Sequence, residues 1–550
     1  MLWPALLFAL PIALALPVAL WQGLSPAAWA SLLADPQVPR ALALSLGTAL
    51  VSTAGALALS LWLVTQLHGT RAWAAFARAL GPLLALPHAA FAIGLALLVM
   101  PAGVIARLFA AALGWSTPPD WPTVNDPWGV GLVLVLVAKE TPFLLWNVVA
   151  LLARPELAQS MRGWLACGRT LGYKDAALWW RVLWPLLLPR LAWPLLAVMA
   201  YGLTVVDLAL IVGPASPPTL AMLAWQALLD ADPARNAEGA AQAVALAAVL
   251  ALLVVAGTVL ARPLRGAWHA WACNGQRAAH APTAARAAQG TAVALLTLYG
   301  AVALLLVLSS FTGVWTFPSL APQSWTGAAW SQVGASLGAV ALSATLGAFA
   351  ALAALALTLA WFEATPPGWD RRVMPLVLAP LVVPPLLLMV GLYGLALPLR
   401  LDGTLAGLGW VHAVMALPYV FVALAPAWRS FDVRYEHTAL ALGRSRAAFW
   451  WRIKVPLLAA PLAAALGVGF AVSVAQYLPT QFIGAGRLAT VTTEAVTLAA
   501  GGQRHTAAAF GLLQALLPAL GFALAATVAR RQHRRIQAMT HPATDGARAR

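Results

Sequence analysis

Leu171-Gly-Tyr-Lys-Asp-Ala-Ala-Leu-Trp-Trp-Arg-Val-Leu-Trp-Pro185 returns 271 residues later as Leu442-Gly-Arg-Ser-Arg-Ala-Ala-Phe-Trp-Trp-Arg-Ile-Lys-Val-Pro456, with eight of the fifteen positions identical. Each copy is a polar, arginine-bearing segment set between long apolar runs. A polar device that occurs twice predicts duplicated surroundings. It also predicts a symmetric partner outside the apolar phase, which the two copies grip together.

The surroundings are lipid. The chain is 62% hydrophobic and 9% charged, with a mean hydropathy of +0.83, against about 25% charged in soluble domains. A spanning helix needs roughly 20 mostly apolar residues. About a dozen such runs occur, near 3–21, 41–65, 79–102, 128–153, 190–213, 240–261, 292–312, 332–361, 374–398, 406–427, 457–480 and 506–529. Backbone polar groups in hydrocarbon must be satisfied within helices, so the expected fold is all-α. It is a polytopic membrane protein of about 12 transmembrane helices in two parallel six-helix repeats.

The net charge of +16 is accounted for by topology. With a cytoplasmic N-terminus and alternating runs, 26 of the 33 Lys and Arg residues fall on the cytoplasmic side and six on the other, with Lys139 inside a helix. That is the positive-inside bias, and it makes a nucleic-acid partner unnecessary. The N-terminal run lacks a basic n-region and a small-x-small cleavage site, so it reads as a spanning helix rather than a signal peptide. Cys167 and Cys273 both fall on the cytoplasmic side, where disulfides are rare, and no Cys/His metal cluster is visible.

The organisation is six helices, a linker and six helices. The first half covers 1–264, with its polar loop at about 156–189. A solvated connector rich in Ala, Arg and His covers 265–290. The second half covers 291–530, with its loop at about 429–456, and a basic tail covers 531–550. Ser45-Leu46-Gly47 with Ser52 aligns with Ser336-Leu337-Gly338 with Ser343, and Pro82 and Pro87 with Pro380, Pro384 and Pro385. Six helices per half is an even number, so both halves insert the same way up.

Gly172 and Gly443 each follow a short helical stretch, and Gly ends a helix cheaply in a left-handed conformation. An aromatic second arm then leads to Pro185 or Pro456, which suit the first turn of the next membrane helix. The expected product is helix, bend, helix. Trp179, Trp180, Trp450 and Trp451 lie against the membrane face, and the outer side is free to enter a partner's groove. Trp also favours the headgroup region, so these four double as anchors.

These loops resemble those of permeases of binding-protein-dependent ABC importers, whose pattern is Glu-Ala-Ala-x-x-x-Gly-x9-Ile-x-Leu-Pro. The Gly-to-Pro spacing and a branched aliphatic residue (Val182, Ile453) are kept in both copies. The opening triad departs, being Ala166-Cys167-Gly168 and His437-Thr438-Ala439, with Glu436 one place early. Ala416-Leu-Pro-Tyr-Val420 and Ala425-Pro426 are also similar to the family. The fused design resembles its thiamine, ferric-iron and sulfate branch. Gln476-Tyr-Leu-Pro-Thr480, Gly484-Ala-Gly-Arg487 and Thr493-Glu-Ala-Val496 resemble a thiamine-like subgroup.

The resemblance implies ATPase-docking loops that carry Gly172, Trp179, Trp180, Arg181, Pro185, Glu436, His437, Gly443, Trp450, Trp451, Arg452 and Pro456. It implies a cytoplasmic ATPase homodimer and a periplasmic solute-binding protein as partners, at the bacterial inner membrane. The chain has no P-loop, since Lys139, Lys174 and Lys454 are its only lysines and none follows Gly. It also shows no catalytic motif or cofactor site, so ATP belongs to the partner. The alternative reading is an ion-coupled secondary transporter with parallel repeats. Its charged signature is expected after the second helix, where Leu67-His-Gly-Thr-Arg71 carries little.

Ionisable residues in apolar runs are functional candidates. Lys139 and Glu140 in the fourth run and Asp207 in the fifth are such residues, and one of the first two is expected to pair with Asp207, either as a structural ion pair that holds the bundle or as part of the translocation path. Gln476 takes roughly the place of Asp207 in the second half. The charge split makes one outcome specific: reporter fusions at Gly275 and Ala538 read cytoplasmic, and fusions near Pro119 and Gly501 read periplasmic. A periplasmic signal at Gly275 would dismantle the six-plus-six arrangement.

Overall fold

The computed structural model describes residues 2–276 and 282–540. Among these, nine helices are long and apolar enough to cross a bilayer, and three bent pairs, with angles of 64°, 105° and 73°, raise the number to 12. Each apolar run of the sequence overlaps one of these helices or bent pairs, though run 79–102 begins in the separate helix Arg71–Ala85 and run 190–213 extends past Thr204. The breaks follow proline. Leu86 and Val383, which precede Pro87 and Pro384, both leave the helix for extended geometry, since a residue before proline is kept out of the helical region. The result is helix Arg71–Ala85 broken from His88–Val99, and Asp370–Val382 broken from Pro385–Ala396.

The connector is shorter than composition indicates. Helix Pro233–Ala272 runs on through the expected start of the linker, and helix Pro282–Ser310 resumes within it. Residues 277–281 of the linker, and 541–550 of the basic tail, lie outside the described residues.

The internal symmetry has a different register from the one read in Ser-Leu-Gly. The Ser45 hydroxyl accepts the Leu220 amide at 2.9 Å, and the Ser343 hydroxyl accepts the Val491 amide at 2.8 Å. Thr219 and Thr490 cap the two short helices that begin there. Ser45 therefore corresponds to Ser343, not to Ser336. Each serine satisfies a helix N-terminus that has no water to turn to.

The first helix of each half packs on the other half. Leu2–Gly23 lies against Pro385–Ala396, and Pro282–Ser310 lies against His88–Val99. Two corresponding glycines allow this. A Cβ on Gly391 would collide with the Ala15 backbone, and one on Gly94 would sit 2.6 Å from Val302 Cγ1 and 2.9 Å from its carbonyl oxygen. Small residues at such crossings let backbones approach and gain dispersion contacts, since lipid offers no hydrophobic drive. Arg107 ties down the segment that follows the second exchanged helix. Its guanidinium donates to the carbonyls of Thr316 at 2.7 Å, Ser319 at 2.6 Å and Trp315 at 3.0 Å.

Gly391→Val and Gly94→Val should therefore each lower the thermal stability of the purified protein, by about 1–3 kcal/mol as overpacking does. Gly300→Val, on the exchanged helix with open space around it, should leave the melting temperature in place. Equal melting of all three would remove the glycine crossings as the basis of the exchange.

Candidate functional site

The two polar loops are built alike. In the first, helix Pro155–Thr170 ends at Leu171 and Gly172 turns with φ +83°. In the second, helix Arg434–Ala441 ends at Leu442 and Gly443 turns with φ +74°. Gly172 N–H donates to Arg169 O at 2.9 Å and Tyr173 N–H to Gly168 O at 3.0 Å. Gly443 N–H and Arg444 N–H repeat this on Leu440 O and Ala439 O, at 2.9 and 3.0 Å. These paired bonds close both helices with a Schellman motif.

The third residue of each opening triad explains why it is small. A Cβ on Gly168 would collide with the side chain of Leu178 on the second arm, and its counterpart Ala439 is buried, as is Phe449. The arms meet at this residue. Arg169 and Asp175 tie the first bend with two 2.7 Å bonds, which hold Arg169 above its ordinary pKa. In the second loop Glu436 and Arg446 approach to 3.9 Å, and His437 is exposed.

The proline expectation is corrected. Pro185 and Pro456 do not begin a new membrane helix. The second arms, Asp175–Leu178 and Arg446–Phe449, pass through π-helical turns at Trp179–Leu183 and Trp450–Lys454 before either proline. Trp184 N–H reaches Trp179 O, and Val455 N–H reaches Trp450 O. This wider turn makes room for a proline ring that would otherwise press on the carbonyl four residues back.

The duplicated Trp-Trp-Arg is anchored differently in each half. Trp179 and Arg181 are buried. Arg181 donates at 2.9 Å to Trp271 O, Ala272 O and Asn274 Oδ1 at the C-terminal end of helix Pro233–Ala272, where a cation meets exposed carbonyls favourably. Trp268 Nε1 donates to Trp180 O at 2.9 Å. His68, edge-on to Trp179 at 5.0 Å, is lowered in pKa by burial against the pull of Asp175.

In the second half Arg452 is exposed and Trp451 is 66% exposed. Lys454 takes over the anchoring, paired with Glu363 and 4.2 Å from the Trp428 ring centre. Trp450 donates to the same carboxylate at 3.3 Å. Of the four tryptophans, Trp179, Trp180 and Trp450 pack on the bundle, and Trp451 faces outward.

The intramembrane residues are also rearranged. Lys139 does not pair with Asp207. Its ammonium donates to Leu86 O at 2.6 Å and Leu83 O at 3.3 Å, with the rings of Phe91 and Tyr299 within 5.7 and 5.4 Å. Leu83 O is where an unbroken helix would receive the amide of residue 87, and Pro87 has none. Glu140, 5% exposed, faces His88 at 3.4 Å. Asp207, half-buried, begins helix Asp207–Val212.

Gln476 caps helix Ala459–Ala475, so its counterpart is Val205, the cap of Ala192–Thr204. The counterpart of Asp207 is Leu478, the first residue of the next helix. His412, buried in the tenth apolar run, bonds Ser473 Oγ at 2.8 Å and Thr480 Oγ1 at 3.1 Å. The rule that singled out Lys139 applies equally to this histidine.

A helical membrane protein with two pseudo-symmetric polar loops has the layout of a transporter's membrane component. The chain is 37% identical over 505 residues to the inner membrane ABC transporter permease protein YnjC of Escherichia coli (strain K12), spanning 91% of this chain and 90% of the relative. It belongs to the ABC transporter permeases of the inner membrane. Shorter similarity, 29% over 119 residues, links 20% of it to 45% of the molybdenum transport system permease protein ModB of Mycobacterium bovis and of Mycobacterium tuberculosis. No family model matches the chain. Membership makes it a multi-pass transport component and sets aside the secondary-transporter alternative.

Lys139→Ala leaves two carbonyls in a dry helix break without their cation, and bonds to charged groups contribute about 1.5–3 kcal/mol each. The variant should lose yield and melt early in detergent. Adding Asp207→Ala should give no rescue, because the two side chains are not partners. A double variant as stable as the wild type would restore the ion pair.

Proposed function

We propose that this chain is the permease of a binding-protein-dependent importer and that both polar loops seat on ATPase subunits. The observation that carries the reading is the repetition of one device: Schellman bend, small residue at the crossing, π turn and proline. Two like devices call for two like partners, so the ATPase is a homodimer. It binds the ATP, and this chain carries no cofactor. Both termini and both loops face the cytoplasm, as the arginine distribution supports. A periplasmic binding protein delivers the solute to the opposite face. Closure of the ATPase dimer moves the loops, and the π turns join each loop to the membrane helix that follows it.

Glu436, His437, Trp451 and Arg452 present a docking surface in the second half, and Trp164 and Leu171 do so in the first. Arg181 acts from beneath its loop, by holding it to helix Pro233–Ala272. The resemblance favours a thiamine-like solute or ferric iron, and the short similarity to molybdenum permeases adds an oxyanion as a competitor. Glu140, Asp207 and Gln476 remain the path candidates. Lys139 is given to the helix break.

Gly443→Asp and Gly172→Asp test the loops. Open space surrounds Gly443, so the cost within the chain is the left-handed conformation, about 1–2 kcal/mol. Each variant should reach the membrane at near-normal level, fail to co-purify the ATPase from solubilised membranes, and stop uptake. The double change should be little worse than either single one. Full ATPase capture and uptake by the double variant would refute docking through these bends.

A further inference from the structure

Where helices His88–Val99 and Pro282–Ser310 end and helix Arg504–Thr540 begins, the two halves enclose a cavity of about 80 Å³. That is room for several waters or for one small polyatomic ion. Leu97, Met100 and Leu305 make an apolar wall, and Trp315 borders it. The ionisable side chains that line the cavity are basic: Arg107 from the first half, Arg504 from the second and His505 beside it, with no carboxylate. Other cations of this chain meet an acid, Arg429 at Asp370 and Arg235 at Glu238, both at 2.7 Å. Among the described residues neither Arg107 nor Arg504 forms an ion pair.

Guanidinium groups stay protonated at any working pH, so this charge depends on no titration. Arg107 is 4% exposed. Four of its five N–H bonds go to carbonyls: Nε to Ala102 at 3.0 Å, Nη1 to Thr316 and Ser319, and Nη2 to Trp315. Carbonyl dipoles solvate a charge without cancelling it, and one Nη2 hydrogen is left over. Arg504 is exposed. The backbone adds to the same sign. Gly103 caps helix Val104–Leu113 with no side-chain bond to its first amides. Gly103 and Val104 line the cavity together with Arg504 and His505, so the positive ends of two helices border it. A structural pin would need Arg107 and the carbonyls it holds. It would need neither the second arginine nor the space between them.

We propose that Arg107 and Arg504, with the first amides of helices Val104–Leu113 and Arg504–Thr540, bind a small oxyanion of the phosphate or sulfate type that bridges the two halves. Guanidinium forks match the paired oxygens of such a group. A free anion and the phosphate of a lipid headgroup share this chemistry, and the cavity lies at the ends of spanning helices, within reach of both. Arg107 already holds the segment around Thr316, so an anion that also engages Arg504 clips the last helix of the second half to the first half. Such a bridge leaves the transported solute open.

The test uses the full chain purified in detergent and chloride buffer, with inorganic phosphate and sulfate as free-anion probes and phosphatidylglycerol as the lipid probe. Melting temperature is followed at constant ionic strength, and native mass spectrometry counts retained phospholipid. A saturable rise above the chloride value is expected. Arg504→Gln, at an exposed position, should fold and weaken the apparent affinity by about tenfold or more, as loss of a charge-assisted bond does. Arg107→Lys keeps the charge, loses the fork and should weaken it as well. Arg40→Gln removes an equal charge from an exposed position outside the cavity and should respond as the wild type does. Monodisperse elution shows which variants are folded, and if Arg107→Lys fails there, Arg504→Gln decides. A response to phosphate and sulfate assigns a free anion. A response to phosphatidylglycerol alone, with lipid retained by the wild type and lost from Arg504→Gln, assigns the headgroup. No response to any probe, or a response that Arg504→Gln keeps as fully as Arg40→Gln, would overturn the site.

Discussion

A backbone carbonyl or amide left open in hydrocarbon has no water to satisfy it, and most of this structure answers that constraint. Each proline break opens carbonyls, and each short helix opens amides. At several of these points a side chain carried in from another helix closes the gap. Lys139 reaches the carbonyls of Leu83 and Leu86, and Ser45 and Ser343 reach the amides of Leu220 and Val491. Thr492 reaches Val474 O, and Gln514 in turn reaches Thr492. Buried polar residues that look functional in a list of apolar runs are in several cases such closures. His88 and Glu140, which face each other at 3.4 Å, are not closures of this kind.

Much of the architecture was legible because it rests on signals that survive in one dimension. Apolar run length gave the helices, and the repeated Trp-Trp-Arg-to-proline segment gave the two halves and their bends. Gly172 and Gly443 take the left-handed turn that their position after a short helix indicates. What was not legible depends on which faces meet. Ser-Leu-Gly occurs in both second helices, yet the true register follows from which hydroxyl meets an amide far along the chain. The partner of Lys139 is a carbonyl orphaned by Pro87, and carbonyls have no letter in a sequence. Pro185 and Pro456 read as helix starts because a π turn has no compositional signature. His412, by contrast, is visible in the sequence as an ionisable residue inside an apolar run.

The pseudo-symmetry is kept where two like partners are expected and lost among the intramembrane ionisable residues. The loops share backbone geometry down to their hydrogen bonds, while the side chains beneath them differ, Arg181 on one side and Lys454 on the other. Within the membrane, His88, Glu140 and Asp207 of the first half stand where the second half has Pro385, Ala416 and Leu478. A duplicated scaffold thus leaves each copy free to drift wherever the partner is not itself duplicated.

The exchanged first helices have a consequence for how the chain is made. Leu2–Gly23 precedes by more than 350 residues the surface it packs on, Pro385–Ala396, which belongs to the second half. Until that surface is made, the face around Ala15 lacks this partner, although Gly23 already has Ala240 and Val244 of its own half to pack on. Neither half can complete its own packing, so a chain cut at the connector would yield two fragments that become whole only by trading helices. Fusion of the halves keeps the trade within one molecule, where the second helix bundle is always at hand to receive the first.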